Sequence, residues 1–405
     1  MPARIRGIRS LNTQTFTAAV LACVCVIGAA HGGQAGETAM KHVIVYAQKD
    51  TFAGWPANNG VWMWEGKEIV VGCSVGPYRV QEGHNITEPI RSALCRSLDG
   101  GETWQVEFPA NYVGQSVKLS DPPGPINFGH PDFAMRIIGM GYHGTAQKRG
   151  GFYVSYDRGK TWTGPHRFNG LAEVGELADL ELTPRTDYLL NGPADCMAFL
   201  SATRGSFSDR TFCVRTTDAG ATFRFVSWIV GPSDPNRAVM PCTVRCPDGK
   251  LLSAIRRRNV PGKDCWIDLY RSTDDGQSWT FLSKVGDTGQ RNGNPAAMIR
   301  LRDGRLCCVY GQRDRRAIIA RFSADQGLTW GPDQVIRDGY ASFEKGADMG
   351  YPRLVQRADG RLVAIYYWAN EEHPCQHIEA TIWDPQETAA TTQAGAATSD
   401  AQDRK

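Results

Sequence analysis

This chain of 405 residues has little charge of either sign to spare. Its 45 Lys and Arg nearly balance 42 Asp and Glu, for a formal net charge of +3. The charges are interspersed, with no long basic block, which argues against nucleic acid as a partner. A metal site is not indicated either: Cys242 and Cys246 have no second His/Cys pair at zinc spacing. No cofactor is expected. The apolar run at residues 16–30 is short for a membrane span. What the chain does have is 44 Gly, 11 Trp and 13 Tyr, which suits many turns and aromatic-rich strands and therefore an all-β fold.

The first 35 residues read as a secretory signal peptide. Arg4, Arg6 and Arg9 precede the apolar run, and Gly33-Gln34-Ala35 follows it as a small-x-small cleavage signal. The mature protein is then secreted or periplasmic, with no membrane attachment after cleavage. Twelve cysteines become ten, and export permits disulfides. Cys196 and Cys213 flank a turn near Gly205. A cross-strand bridge between them and two separate buried thiols both fit. Residues 386–405, rich in Ala, Thr, Gln and Asp without apolar periodicity, read as a disordered tail. That leaves 36–385 as the folded domain, expected to be a monomer.

One pattern recurs five times. It begins with Ser97-Leu98-Asp99-Gly100-Gly101-Glu102-Thr103-Trp104 and returns around Asp157, Asp218, Asp274 and Asp325, at steps of 58, 61, 56 and 51 residues. A period of that size signals a repeat architecture. Each copy reads as a hairpin turn: the Asp accepts hydrogen bonds from turn amides, the Gly takes positive φ, and the aromatic returns to pack between sheets. Repetition argues for architecture rather than catalysis. A second signature lies between the copies. Asp248-Gly249, Asp303-Gly304 and Asp359-Gly360 each precede an apolar run, as a tight hairpin entering a buried strand would.

Together the signatures give four strands per unit and six units, at 57–115, 126–175, 178–235, 237–290, 293–340 and 350–384. The last lacks the Asp pattern. The orphan strand at 41–46 could complete it and close the ring. The expectation is a six-bladed β-propeller of four-stranded antiparallel blades.

These Asp boxes on six blades resemble the sialidase (neuraminidase) superfamily over nearly the whole mature chain. The resemblance implies a Tyr nucleophile, a Glu beside it, an Asp acid/base and three Arg that hold the substrate's carboxylate. Gly350-Tyr351-Pro352-Arg353-Leu354 is similar to the nucleophile segment, which makes Tyr351 the candidate and adds Arg353 to the binding set. Arg256 matches the second arginine, and Arg313 and Arg315 both fit the third. The sequence also departs from the pattern. The first arginine is absent from residues 58–63, its Glu partner is absent near Tyr367, and the nucleophile's Glu is absent near Pro241. Losing an arginine together with its carboxylate is coherent, because either alone would be a buried unpaired charge. The chain is identified as a divergent member.

Other polar and aromatic residues fall at blade entrances or in the following loops: Trp55, Asn58, Asn59, Arg79, Glu82, His84, Asp132, Asn292, Asn294 and Asp348. Trp55 can stack on a sugar, while Asn59, Asn294 and Arg79 can take hydroxyls. His84, Asp132 and Asp348 are candidate proton-transfer groups. Three readings follow. The first is a secreted exo-glycosidase removing a terminal acidic sugar from glycans. The second is a polysaccharide lyase acting on uronates, and the third is a non-catalytic glycan-binding propeller.

Overall fold

The computed structural model describes residues 40–110, 112, 118–139, 150–183, 185–205, 208–260, 262–290, 292–343 and 346–385. The proposed leader and tail lie outside these residues. The chain divides into residues 1–37 and 38–405, and everything described belongs to the second unit.

Six antiparallel sheets follow one another along this unit. Blade four shows the plan: Arg237–Arg245 is innermost, followed outward by Leu251–Arg258, Asp264–Ser272 and Thr280–Gln290. Blade five repeats it with Ala297–Arg300, Leu306–Gln312, Ala317–Ser323 and Gln334–Arg337. In blades one and three the innermost strand is split. Thr51–Gly54 and Val61–Trp64 both pair with Glu68–Pro77, and Glu181–Leu182 and Tyr188–Gly192 both pair with Asp195–Thr203. Blade six consists of Gly350–Gln356, Leu362–Trp368 and His377–Trp383, completed by Lys41–Tyr46 from the start of the unit. The orphan strand therefore does close the ring.

Blade two differs from the four-stranded expectation. Its described strands are Ala134–Ile138, Gly151–Ser155 and Thr163–Arg167. The inner edge is met by side chains of blade three instead of by a described backbone strand. Met135 N–H donates to the Tyr188 hydroxyl at 3.1 Å, and Ile137 N–H to Thr186 Oγ1 at 3.1 Å. An unpaired edge donor buried away from water would be costly, and these hydroxyls satisfy it.

Among the described residues six apolar clusters each span two neighbouring blades, and a small seventh lies at Ala57, Val239 and Met240. One joins Phe52, Ile69 and Val71 of blade one to Val363, Ile365 and Ile378 of blade six, so the ring is closed by packing as well as by pairing. One interface per blade pair is how a ring exceeds the size of a single core.

The Asp boxes are the hairpins between the third and fourth strands. In the first, Asp99 Oδ1 accepts from the Thr103 amide at 2.9 Å and Oδ2 from its hydroxyl at 2.6 Å, while Gly101 N–H donates to Ser97 Oγ at 2.7 Å. The box at Asp157 repeats these bonds. The returning aromatics Trp162 and Phe223 are buried between blades. Cys196 and Cys213 are free, as are all ten cysteines in the described residues. The bridge between them does not form. Cys196 pairs with Thr216 and Cys213 with Phe199, an offset of odd parity, so the thiols point to opposite faces of blade three. They belong to different inter-blade clusters.

Candidate active site

Antiparallel pairing puts the boxes and the Asp-Gly turns at one end of the ring, the box end. Entrances to the innermost strands and the loops from second to third strand share the other end, the mouth. Three innermost strands are interrupted near the mouth by a non-glycine residue in the left-handed region: Trp55 (φ 60°), Met240 (φ 57°) and Tyr351 (φ 48°). Two of these are matching bulges. Pairing passes from Val239↔Arg256 to Cys242↔Ala254, and from Gly350↔Tyr367 to Arg353↔Ile365, three residues opposite two in each case. A left-handed non-glycine residue costs about 1 kcal/mol or more, and a bulge re-aims a side chain. Here Met240 and Tyr351 meet on the axis beside Ala57 and Val239. Asn294 holds the second bulge from blade five: its Oδ1 accepts the Tyr351 N–H at 2.6 Å, and its Nδ2 donates to Met349 O at 3.0 Å.

Two arginines flank the Tyr351 phenol. Arg256 Nη1 donates to its oxygen at 2.9 Å and also contacts Met240 Sδ at 3.4 Å. The rest of that guanidinium is held by Asn292 O, with Nε at 3.0 Å. Arg313 reaches the Tyr367 hydroxyl at 3.4 Å and Asp348 Oδ1 at 3.5 Å. Tyr367 stacks edge-on against Tyr351, with centroids 5.8 Å apart, and donates to Asp348 Oδ1 at 2.5 Å. The second Asp348 oxygen binds His84 Nδ1 at 2.9 Å, and Trp55 lies edge-on to His84 at 4.9 Å. His84 is half-exposed.

The charges tune these groups. Burial raises the Tyr351 phenol, but the positive charges of Arg256, Arg313 and His84 outweigh it and bring the pKa down to about 8. Burial likewise opposes ionisation of Asp348, yet the His84 hydrogen bond and charge, with Arg313, hold it below the ordinary carboxylate range. For His84, burial works against the cation, and the Asp348 hydrogen bond and charge prevail and raise its pKa. The mouth thus carries an easily ionised phenol and a His/Asp pair that favours imidazolium. That combination can deliver a nucleophile or base from one side and a proton from another.

Tyr351, Arg256, Arg313, His84, Asp348 and Trp55 are therefore brought together, with Asn294 behind them. Arg353 lies in the same innermost strand as Tyr351. Its guanidinium is held by the carbonyls of Ala57 at 2.5 Å and Thr186 at 2.6 Å, so it braces blades one, three and six. Asn59 is buried, donates to Trp55 O at 3.1 Å and accepts from Arg136 at 2.6 Å, which occupies it within the scaffold. Arg79 is exposed on the 78–86 hairpin, where its amide donates to Asn85 O.

Two expected residues are elsewhere. Arg315 turns outward and pairs with Asp333 at 2.6 Å. Asp132 sits at the box end, 2.6 Å from Arg158 Nε. It precedes Ala134–Ile138, the strand that pairs with the third strand of blade two, so its end of that strand is the box end.

One residue was not anticipated. Asp187, in the innermost part of blade three, is buried and accepts from the Thr243 amide at 3.2 Å and hydroxyl at 3.0 Å. Burial pushes its carboxyl up to about 7, against the Thr243 hydrogen bonds and the charge of Arg353. A Thr-Asp-Tyr entry into an inner strand is the only sequence signal for it. Among the described residues, no group of three His, Cys, Asp or Glu is arranged to hold a metal ion.

A closed ring of six blades, five of them with an Asp box, and a phenol, two guanidiniums and a His/Asp pair at one mouth defines a class: propellers with an axial polar site. Within it, residues 125–364 match the BNR repeat-like domain family, and the chain belongs to that family. No curated protein matches it. Solved structures agree on the fold. A Dyadobacter fermentans protein of unknown function is 21% identical, with 85% of this chain and 97% of that one covered at a TM-score of 0.63. The α-L-arabinanase of Penicillium chrysogenum, complexed with arabinobiose, is 14% identical over 85% and 98% of the two chains, with a TM-score of 0.54. The NanB sialidase of Streptococcus pneumoniae is 11% identical over 85% and 71%, with a TM-score of 0.53. The chain thus has the propeller fold of sialidases and arabinanases.

Proposed function

We propose that this protein is an exported glycoside hydrolase that removes a terminal acidic sugar from glycans or oligosaccharides. The observation that carries this reading is the Tyr351 phenol, lowered to about 8 between Arg256 and Arg313. A carboxylate nucleophile would repel an anionic sugar, whereas a phenol held among cations would not. The phenolate oxygen attacks the anomeric carbon as the bond to the leaving oxygen breaks, and His84 gives that oxygen its proton. Water then attacks the same carbon, neutral His84 takes the water's proton, and the phenolate departs. Asp348 orients His84 and stabilises its cation. Arg256, Arg313 and His84 against the single carboxylate of Asp348 favour an anionic substrate. The glycosidase names of fold relatives support the same class of chemistry. Export rests on the leader, and the N-terminal sequence of the mature protein tests it.

A uronate lyase is the second reading. It is favoured by the hydrogen bond on the Tyr351 phenol coming from Arg256 rather than from a carboxylate, since that phenolate can also abstract a proton. Purified protein should be tested against fluorogenic terminal-sugar glycosides and uronate polymers, with Tyr351→Phe alongside. Hydrolysis abolished by the substitution supports the first reading. Ultraviolet absorbance from an unsaturated product would replace it with the second. Turnover indifferent to Tyr351→Phe would remove both.

A further inference from the structure

The hairpin that carries His84 has an apolar face beside the site. Tyr78 bridges to Ile86, and the Arg79 amide donates to Asn85 O. Val80 lies two residues beyond Tyr78 on one limb, and His84 two residues before Ile86 on the other. Gln81 secures the tip, its side-chain amide donating to His84 O at 2.8 Å and Ile86 O at 2.9 Å. The hairpin meets the segment leading into blade six at two points. His84 binds Asp348, and Tyr78 packs edge-on against Phe343 with centroids 6.1 Å apart. Yet Phe343 is 63% exposed and Val80 56% exposed. Two apolar side chains left in water on the segments that carry His84 and Asp348 mark a place where something else lies.

The chemistry says what that something is. In the proposed reaction His84 protonates the oxygen of the leaving group, so the leaving group must lie against the face of the hairpin that presents His84. We propose that Val80 and Phe343 form the leaving-group subsite and select glycosides whose aglycone is a flat, apolar phenol. The ring of the aglycone lies on Phe343 while its glycosidic oxygen faces His84. This inference rests on the proposed glycosidase reading and adds the substrate class on the leaving-group side. Tyr78 supports Phe343 from behind, so the platform is held before the substrate arrives.

Two measurements on the full chain test it. The first is binding of free 4-methylumbelliferone, followed by its own fluorescence, to wild type, Phe343→Ala and Val80→Ser. The expected result is saturable binding weakened about tenfold by Phe343→Ala, and less by Val80→Ser. The second is KM and kcat for aryl and methyl glycosides of the same sugar. Phe343→Ala should raise KM about tenfold for the aryl glycoside and leave the methyl glycoside unchanged. If glycosides are hydrolysed but neither the phenol's affinity nor the aryl KM responds to Phe343→Ala, the subsite is wrong and the glycosidase reading stands. If the phenol binds in a Phe343-dependent way while no glycoside is turned over, the subsite stands and the glycosidase reading fails. Loss of activity on both glycosides in Phe343→Ala would overturn the subsite, because it would make Phe343 part of the scaffold.

Discussion

The box end of the ring and the surroundings of Tyr351 at the mouth treat charge differently. At the box end, ions come in complementary sets that link neighbouring blades. Arg158, the fourth residue of its box, reaches back to Glu68 and Glu65 of blade one at 2.8 and 2.7 Å. Asp275, at the same position of another box, reaches back to Arg215 of blade three at 2.6 Å. The sign is exchanged and the joint is kept. The mouth keeps such joints in Arg237–Asp209 and Arg337–Glu379, but around Tyr351 the guanidiniums of Arg256, Arg313 and Arg353 are held mainly by carbonyls and phenols, with Asp348 the carboxylate facing Arg313. The left-handed residues differ in kind too. Those in the boxes recur with the turn, whereas Trp55, Met240 and Tyr351 interrupt strands. One end is built for stability, and the other holds strain and positive potential, as a functional site does.

The largest effect that would sharpen this contrast is at Tyr351. Tyr351→Phe keeps the ring and its edge-on contact but removes the oxygen. Turnover should fall by roughly a thousandfold or more, with the circular dichroism spectrum unchanged.

Asp187→Asn is expected to stabilise the protein. Its folded pKa is raised to about 7, so its neutral form is favoured in the fold. The contribution is full below the unfolded value near 4 and is lost as pH rises to about 7. Above pH 7 the ionised, buried group costs about 3–4 kcal/mol, which the amide removes. Denaturant midpoints should therefore separate at pH 8 and converge near pH 4.

Arg256→Met tests the positive potential directly. The Tyr351 phenol should titrate above 8, toward its ordinary value near 10, as read by tyrosinate absorbance. An unmoved titration would break the contrast at the mouth.

The smallest change lies at the box end. Asp157→Ala removes acceptors for the Thr161 amide and hydroxyl and should cost about 1–2 kcal/mol with catalysis unaffected. In the box at Asp99, burial opposes ionisation, and the Thr103 hydroxyl and amide, with Ser97 and Glu102, overcome it and bring the carboxyl down to about 2. Box stability is therefore present above the unfolded value near 4 and is lost as pH falls toward 2.

The boxes were legible because each is a local device of eight residues, and the closing strand because it had no partner of its own. For Cys196 and Cys213, left open between a bridge and two buried thiols, strand parity decides for the thiols: symmetric placement about a turn does not put two side chains on one face. Asp132 was misplaced for a related reason. It leads into a second strand, because blade two lacks a described innermost one, and so it emerges at the far end. Tyr351, Arg256 and Arg313 could be gathered from spacing along strands. The bulges that aim them could not, since the left-handed turn at Tyr351 depends on Asn294 of another blade. The raised carboxyl of Asp187 comes from burial between blades, which outweighs the opposing hydrogen bonds of Thr243 and charge of Arg353 from two further blades.

The pairing of Lys41–Tyr46 with His377–Trp383 orders assembly in time. A ribosome delivers the first of these strands more than three hundred residues before the second. Until the second is released, blade six has only Gly350–Gln356 and Leu362–Trp368, and the first strand has no neighbour. Five blades can form as an open arc while synthesis continues, and the sixth forms only from both ends of the chain at once. Loss of Lys41–Tyr46 should therefore leave blade six as three strands with an open outer edge, and loss of His377–Trp383 should leave two and strand the first as well.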